Sequence, residues 1–121
     1  MSPDDSPPIA VGPYAPIVRA DNWLICSGQL GLRDGVLVDG GVGAETACAI
    51  ANLKTVLASE GAALTDVKKT LVLLADIATF DEMNDAYLEA FGPHRPARSA
   101  FAVAALPRGG HVEIEAWAYL A

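Results

Sequence analysis

The first residue whose chemistry stands out is Arg98, at the start of an otherwise apolar stretch. Ser99 follows it, and residues 100–106 are then all apolar. A guanidinium group does not lose its proton, so burying it requires an anionic or hydrogen-bonding partner. That partner is either an acidic side chain of the protein, such as Glu113, or the carboxylate of a bound substrate. The residues alone favour an ion pair within the protein and leave the substrate alternative open.

The second chemical candidate, Glu113, lies in the last predicted strand, residues 111–120. Because successive side chains of a strand point to opposite faces, the even positions form one apolar face. The other face mixes carboxylates with large aromatic rings: His111, Glu113, Glu115, Trp117 and Tyr119. A carboxylate in such a setting can act as a general base toward water, or it can hold a structural ion pair. The mixture is unusual for a face in contact with solvent alone, and we expect another part of an assembly to cover it.

Length and composition set the broad class of the protein. The chain has 121 residues, enough for one domain with one core. Its formal net charge is −7, with 8 Lys and Arg and no basic run, so we expect no nucleic-acid partner.

Hydrophobic residues make up 52% of the chain, and we expect the surplus to be buried against copies of the same chain. The apolar runs are far shorter than the ~20 residues that span a bilayer, so neither a membrane partner nor a secretory signal is expected.

The cysteines and histidines predict no metal or cofactor chemistry. Cys26 and Cys48 fit no zinc or redox spacing, and we interpret both as small core residues of a protein in a reducing cytoplasm. His94 and His111 lie far apart and outside any metal-ligand pattern, so we expect surface or structural roles for them. We therefore expect no metal site and no cofactor.

The local patterns predict an α+β fold, a single mixed β-sheet with two helices on one face. Residues 1–8 are rich in proline and aspartate and predict a disordered tail before one domain, residues 9–121. The first helix, residues 44–60, has an apolar stripe that leaves Glu45 off its buried side. A capping box of Thr79 and Glu82 is expected to start the second helix. Strands are expected at 17–20, 23–27, 31–38, 69–75, 98–105 and 111–120, with hairpin turns at Asp21-Asn22 and Asp34-Gly35.

A set of short motifs, in one order along residues 9–121, resembles the reactive intermediate deaminase (RidA/YjgF) family. Each motif is weak alone, and their common order makes the resemblance specific. The motifs include Gly12-Pro13-Tyr14, Ser27-Gly28-Gln29, Asn52-Leu53-Lys54, Phe91-Gly92, Pro96-Ala97-Arg98-Ser99, Ala105-Leu106-Pro107 and Val112-Glu113-Ile114. The resemblance implies a chorismate-mutase-like fold, a homotrimer and ligand clefts between subunits. It also implies an enzyme that hydrolyses imines and enamines, such as 2-iminobutyrate and 2-aminoacrylate, to 2-oxo acids and ammonia.

The resemblance also implies roles for individual residues. Arg98 matches the arginine that binds the substrate carboxylate, which a planar guanidinium can hold through two parallel hydrogen bonds. Glu113 matches the acidic residue that holds or activates the attacking water. Tyr14, Ser27 and Gly28 match residues that line the substrate cleft.

Two departures from the family pattern bear on the choice of substrate. Ala15-Pro16 follow the first motif, where many imine-hydrolysing members have Ser-Gln, and Ala100 stands where Cys or Thr is frequent. Both departures remove polar groups from the expected cleft. Two other functions stay open: a non-catalytic, regulatory trimer that binds 2-oxo acids and, less favoured by the charge, a ribonuclease or translation inhibitor.

Overall fold

The fold is given by a computed structural model that describes residue 10 and residues 12–121. The predicted tail, residues 1–8, lies outside the described residues. The strands are β1 (Ile17–Ala20), β2 (Trp23–Leu30), β3 (Leu32–Arg33), β4 (Val36–Leu37), β5 (Val67–Leu74), β6 (Ala97–Ala102) and β7 (Val112–Tyr119). The helices are α1 (Gly41–Ala58), between β4 and β5, and α2 (Phe80–Phe91), between β5 and β6.

Within residues 12–121, five strands form one mixed sheet in the order β1-β2-β7-β5-β6. The pair β5–β6 is parallel and is connected through α2, whereas the other neighbouring strands are antiparallel. This confirms the predicted α+β fold with a mixed sheet and two helices. The Asp34-Gly35 turn forms as expected, but its strands β3 and β4 make a separate two-stranded ribbon.

The helices cover one face of the sheet and form the core with it. The residues of β7 at even positions 112–118 are 0% exposed, as the alternation predicts. The predicted stripe of α1 is also buried: Thr46, Ala49, Ile50, Leu53, Val56 and Leu57. The exposed position expected for Glu45 is wrong, because its side chain is 1% exposed. Two hydrogen bonds from His111 satisfy this carboxylate and allow its burial.

A helix cap and a strand end also differ from the sequence expectation. The Thr79 side chain makes no cap hydrogen bond to α2, since its hydroxyl donates to the Asp76 carbonyl at 2.7 Å within a short 3-10 turn. In that turn Asp76 Oδ1 accepts the backbone N–H of Ala78. Strand β6 ends at residue 102 rather than 105, because its partner strand β5 ends at Leu74. The last hydrogen bond between the two strands runs from the backbone N–H of Val103 to the Leu74 carbonyl.

The second face of the sheet is not covered by any element in the described part of the chain. We call this the open face. Large apolar side chains on it are 37–52% exposed: Val18, Trp23, Ile25, Phe101 and Tyr119. Trp23, Lys69 and Trp117 line a shallow depression of about 330 Å³ on this face. An apolar surface of this extent is typical of a face that contacts another protein surface.

Both cysteines lie in the interior, as predicted. Cys26 and Cys48 are buried and form no disulfide bond. Burial raises the pKa of the Cys26 thiol to about 11, so this thiol is a poor nucleophile. No helix within the described residues is both long and apolar enough to cross a membrane.

Candidate functional site

Glu113 lies near one end of the open face, where β2 is irregular. Its backbone pairs with Leu30 on one side and with Leu73 on the other. The register of β2 against β7 shifts between Cys26 and Gln29, which marks a bulge. A Cβ at Gly28, within the bulge, would collide with Oε1 of Glu113. The carboxylate therefore occupies space that only a glycine leaves open.

Ser27 connects the segment that carries Tyr14 to the same bulge. Its hydroxyl donates to the Ala15 carbonyl at 2.7 Å, and its backbone N–H donates to the Pro16 carbonyl at 2.9 Å. The Tyr14 side chain, just before this connection, is 44% exposed. The structure thus brings the predicted residues Ser27, Gly28 and Glu113 together and holds the Tyr14 segment beside them. Because the Ser27 hydroxyl proton is already used, this oxygen is available mainly as an acceptor.

The environment of Glu113 changes its acidity. Partial burial raises the pKa of this carboxyl group, and the negative charge of Glu115 on the same face raises it further. The strand alternation explains the second cause, since residues two apart share a face. A carboxylate with a raised pKa is a stronger base than an exposed one, which suits it to accept a proton from water.

Arg98 lies on the other side of the sheet. It pairs with Thr70, which is 0% exposed beneath the helices. The Arg98 Cζ atom stands 4.9 Å from the ring centre of Tyr87 and 5.6 Å from that of Phe80. These distances are typical of cation–π contacts, and Nη1 also lies 4.0 Å from the sulfur of Met83. Among the described residues, no carboxylate forms an ion pair with Arg98.

The two halves of the predicted site do not meet within one chain. Arg98 is on the helix side of β6, whereas Glu113 is on the open face of β7, with β5 between the two strands. Adjacent strands are about 4.8 Å apart, and the two side chains point to opposite faces. The ion pair between Arg98 and Glu113 that the sequence suggested is therefore wrong for a single chain.

The sequence analysis did not identify the residues around Arg98 as part of a site. Phe80, Met83 and Tyr87 recur at helical spacing, which indicates a buried face but not that the face holds a guanidinium group. Asn84 lies between them on α2, and its buried Oδ1 has no hydrogen-bond partner among the described residues. No hydrophobic pattern could have singled out that polar atom.

Comparison with known proteins identifies the family. The family model described as Endoribonuclease L-PSP matches residues 5–120. The chain belongs to this family. A bovine protein of the family, named 2-iminobutanoate/2-iminopropanoate deaminase, is 48% identical over 111 residues, which are 90% of this chain and 81% of that protein.

Solved structures of the family share the fold. An L-PSP protein from Entamoeba histolytica is 41% identical, with a TM-score of 0.91 and coverage of 97% of this chain and 95% of that one. RidA from an Antarctic Psychrobacter is 37% identical, with a TM-score of 0.91 and coverage of 96% and 95%. The RidA/YjgF resemblance seen in the sequence motifs is confirmed.

Proposed function

We propose that this RidA/YjgF protein is a 2-iminobutanoate/2-iminopropanoate deaminase, which hydrolyses 2-imino acids and their enamine tautomers to 2-oxo acids and ammonia. Relatives with that name, at 45–48% identity over 90% of the chain, support the reaction. The observation that carries the proposal is the state of Arg98, a half-buried cation packed on aromatic rings without an acidic partner in the described chain. The carboxylate of a 2-imino acid is the missing anion.

Arg98 is the carboxylate anchor in this proposal. The rings of Phe80 and Tyr87 hold the guanidinium group from one side and leave its N–H groups for two parallel bonds to a carboxylate. Such a pair fixes the orientation of the substrate as well as its charge, because both groups are planar. The apolar surroundings strengthen the interaction, since they exclude competing water.

Glu113 acts on the attacking water. Its carboxylate accepts a proton as the water oxygen bonds to the iminium carbon, which produces a tetrahedral carbinolamine. That proton then passes to the nitrogen, and the C–N bond breaks with its electron pair leaving on ammonia. The hydroxyl proton goes to the Glu113 carboxylate as the C=O bond forms, and ammonia then takes it up as ammonium. The imine carbon is already electrophilic, so orientation and one positioned water supply most of what the reaction needs. Tyr14, Ser27 and Gly28 line the cleft beside Glu113.

A homotrimer supplies the geometry that a single chain lacks. Arg98 and Glu113 occupy opposite faces of one sheet, so a shared substrate needs Arg98 from one copy and Glu113 from the next. The exposed apolar side chains of the open face give the copies a surface for association. Two buried, unpaired thiols are consistent with assembly in the cytoplasm.

Ammonia release from freshly generated 2-iminobutanoate tests the proposal. Wild-type protein should exceed the buffer rate, Glu113→Gln should lose most of that excess, and Glu115→Gln is the matched control that keeps it. A wild-type rate equal to buffer contradicts the proposal. Tight binding of 2-oxobutanoate in that case would favour the regulatory, metabolite-binding alternative, whereas cleavage of RNA would favour a ribonuclease despite the charge of −7.

A further inference from the structure

Glu45 is a carboxylate inside the core that the proposed reaction does not use. It lies on α1 and is 1% exposed among apolar side chains that pack against the sheet. Removing a carboxylate from water is strongly unfavourable unless hydrogen-bond donors replace the lost water. The sequence gives no reason for an acid at this position, so its partners must explain it.

One residue, His111, satisfies both carboxylate oxygens of Glu45. Oε1 accepts the backbone N–H of His111 at 2.7 Å, and Oε2 lies 2.5 Å from the ring Nδ1. An ionised carboxylate can only accept hydrogen bonds, so Nδ1 carries the hydrogen and donates it. The His111 side chain is itself 54% exposed. The pair therefore joins the interior of α1 to a residue at the surface.

This pair fixes the point where β7 begins. His111 immediately precedes β7, and its carbonyl accepts the backbone N–H of Ala75, directly after β5. Gly31, directly after β2, approaches α1 so closely that a Cβ there would stand 2.6 Å from the Glu45 Cα. Glu45 thus ties α1 to the place where the ends of β2 and β5 meet the start of β7.

Glu113 is the second residue of β7, two positions beyond His111. Its backbone is paired on both sides, and its side chain fills the space beside Gly28. Two residues of extended chain span only about 7 Å, so a shift at His111 reaches the Glu113 carboxylate directly. A displacement of about 1 Å at a reacting group can lower a rate by a factor of about 100.

We infer that Glu45, acting through His111, is a positioning residue for Glu113. The paired hydrogen bonds hold the start of β7 against α1 and thereby fix where the Glu113 carboxylate meets the attacking water. The inference rests on the proposed function, because it concerns the place of Glu113 in that reaction. It predicts an effect on turnover and not on the binding of the substrate carboxylate, which in the proposed site involves Arg98 of another copy.

Substitution of His111 tests this inference while leaving the core intact. His111→Ala removes the ring contact and keeps the backbone N–H for Glu45, whereas His111→Gln offers a side-chain N–H donor in place of Nδ1. Asp66→Ala is the matched control. Asp66 immediately precedes β5, and its Oδ2 accepts the backbone N–H of Ala63 at 2.8 Å. It lies at the start of β5, whereas Glu113 pairs with Leu73 near the end of that strand.

The readouts are kcat, KM and the thermal midpoint of each variant. We expect kcat of His111→Ala to fall about tenfold or more, with KM changed less than about twofold. His111→Gln should recover most of the loss, and Asp66→Ala should keep the wild-type kcat. Full kcat in His111→Ala, or an equal loss in Asp66→Ala, overturns the positioning role while the deaminase stands. A wild-type protein without ammonia release overturns the proposed function and the positioning role together.

Discussion

At the scale of single residues, packing on aromatic rings holds Arg98 in place, and no carboxylate of the described residues pairs with it. The ring of Tyr87 lies on one side of its guanidinium group, and the Tyr87 hydroxyl is itself bonded to Thr70 at 2.7 Å. Burial raises the pKa of the Tyr87 hydroxyl, and this effect outweighs the Thr70 hydrogen bond and the Arg98 charge, which both lower the pKa. The phenol therefore stays neutral beside the cation. In the proposed function, these contacts hold the guanidinium group ready for the substrate carboxylate.

Replacing Arg98 by methionine should remove the anion site and preserve the packing. Arg98→Met keeps the aliphatic contact with the rings, so we expect a weaker binding of 2-oxobutanoate by about 2–5 kcal/mol without loss of fold. Arg95→Met is the control, because Arg95 is exposed and, among the described residues, its hydrogen bonds go to the carbonyls of Gly92 and His94. Titration calorimetry measures both. Equal affinity for Arg98→Met and wild type would remove Arg98 from the site.

The dependence of the rate on pH should reveal the charge of Glu115. Glu113 must be ionised to accept a proton, and its pKa is raised by burial and by Glu115. The fall of kcat/KM on the acidic side should therefore lie above the usual range of glutamate. Glu115→Gln removes the negative charge that helps to raise the pKa of Glu113. The pKa of Glu113 should then be lower, and the acidic fall of kcat/KM should move to lower pH. An unchanged profile, or a shift to higher pH, would contradict Glu113 as the base.

At the scale of secondary-structure elements, the sequence predicted those features that depend on neighbouring residues along the chain. The stripe of α1 and both hairpin turns follow from spacing and turn chemistry within a few residues. The burial of Glu45 could not be predicted, because its partner His111 lies 66 positions away. The early end of β6 has a similar cause, since a strand extends only as far as its neighbour offers hydrogen bonds.

Two buried threonines give opposite predictions for stability. Thr46 on α1 and Thr70 on β5 are both 0% exposed. The Thr46 hydroxyl has no hydrogen-bond partner among the described residues, whereas the Thr70 hydroxyl is bonded to Tyr87. We expect Thr46→Val to raise the free energy of unfolding by about 1 kcal/mol and Thr70→Val to lower it by about 1–2 kcal/mol. Urea denaturation checks both, and destabilisation by Thr46→Val would show that its hydroxyl has a partner.

At the scale of the whole molecule, the sheet separates the two halves of the proposed site. The sequence could predict that one face needs a cover, because the last strand alternates so regularly. It could not predict that Arg98 and Glu113 face opposite ways, since this depends on the parallel register of β6 with β5. These two facts together support association between copies of the chain, and the number of three copies is the expectation that the family resemblance supplies.

A charge on the open face should prevent this assembly. Ile25 lies in β2 and is 40% exposed in the single chain, so Ile25→Lys would place an ammonium group between the copies. Val36→Lys is the control, because Val36 is 68% exposed on the separate β3–β4 ribbon. Light scattering after gel filtration should give monomers for the first and trimers for the second. A trimeric Ile25→Lys protein would place the interface elsewhere.

The central claim is that each active site takes Arg98 from one copy and Glu113 from another. Mixing two inactive variants, Arg98→Met and Glu113→Gln, by refolding them together tests it most directly. In a ring of three, every mixed assembly contains one interface with both native residues, so an equal mixture should regain about a quarter of the wild-type rate. Activity no greater than that of the two parent variants would contradict the account.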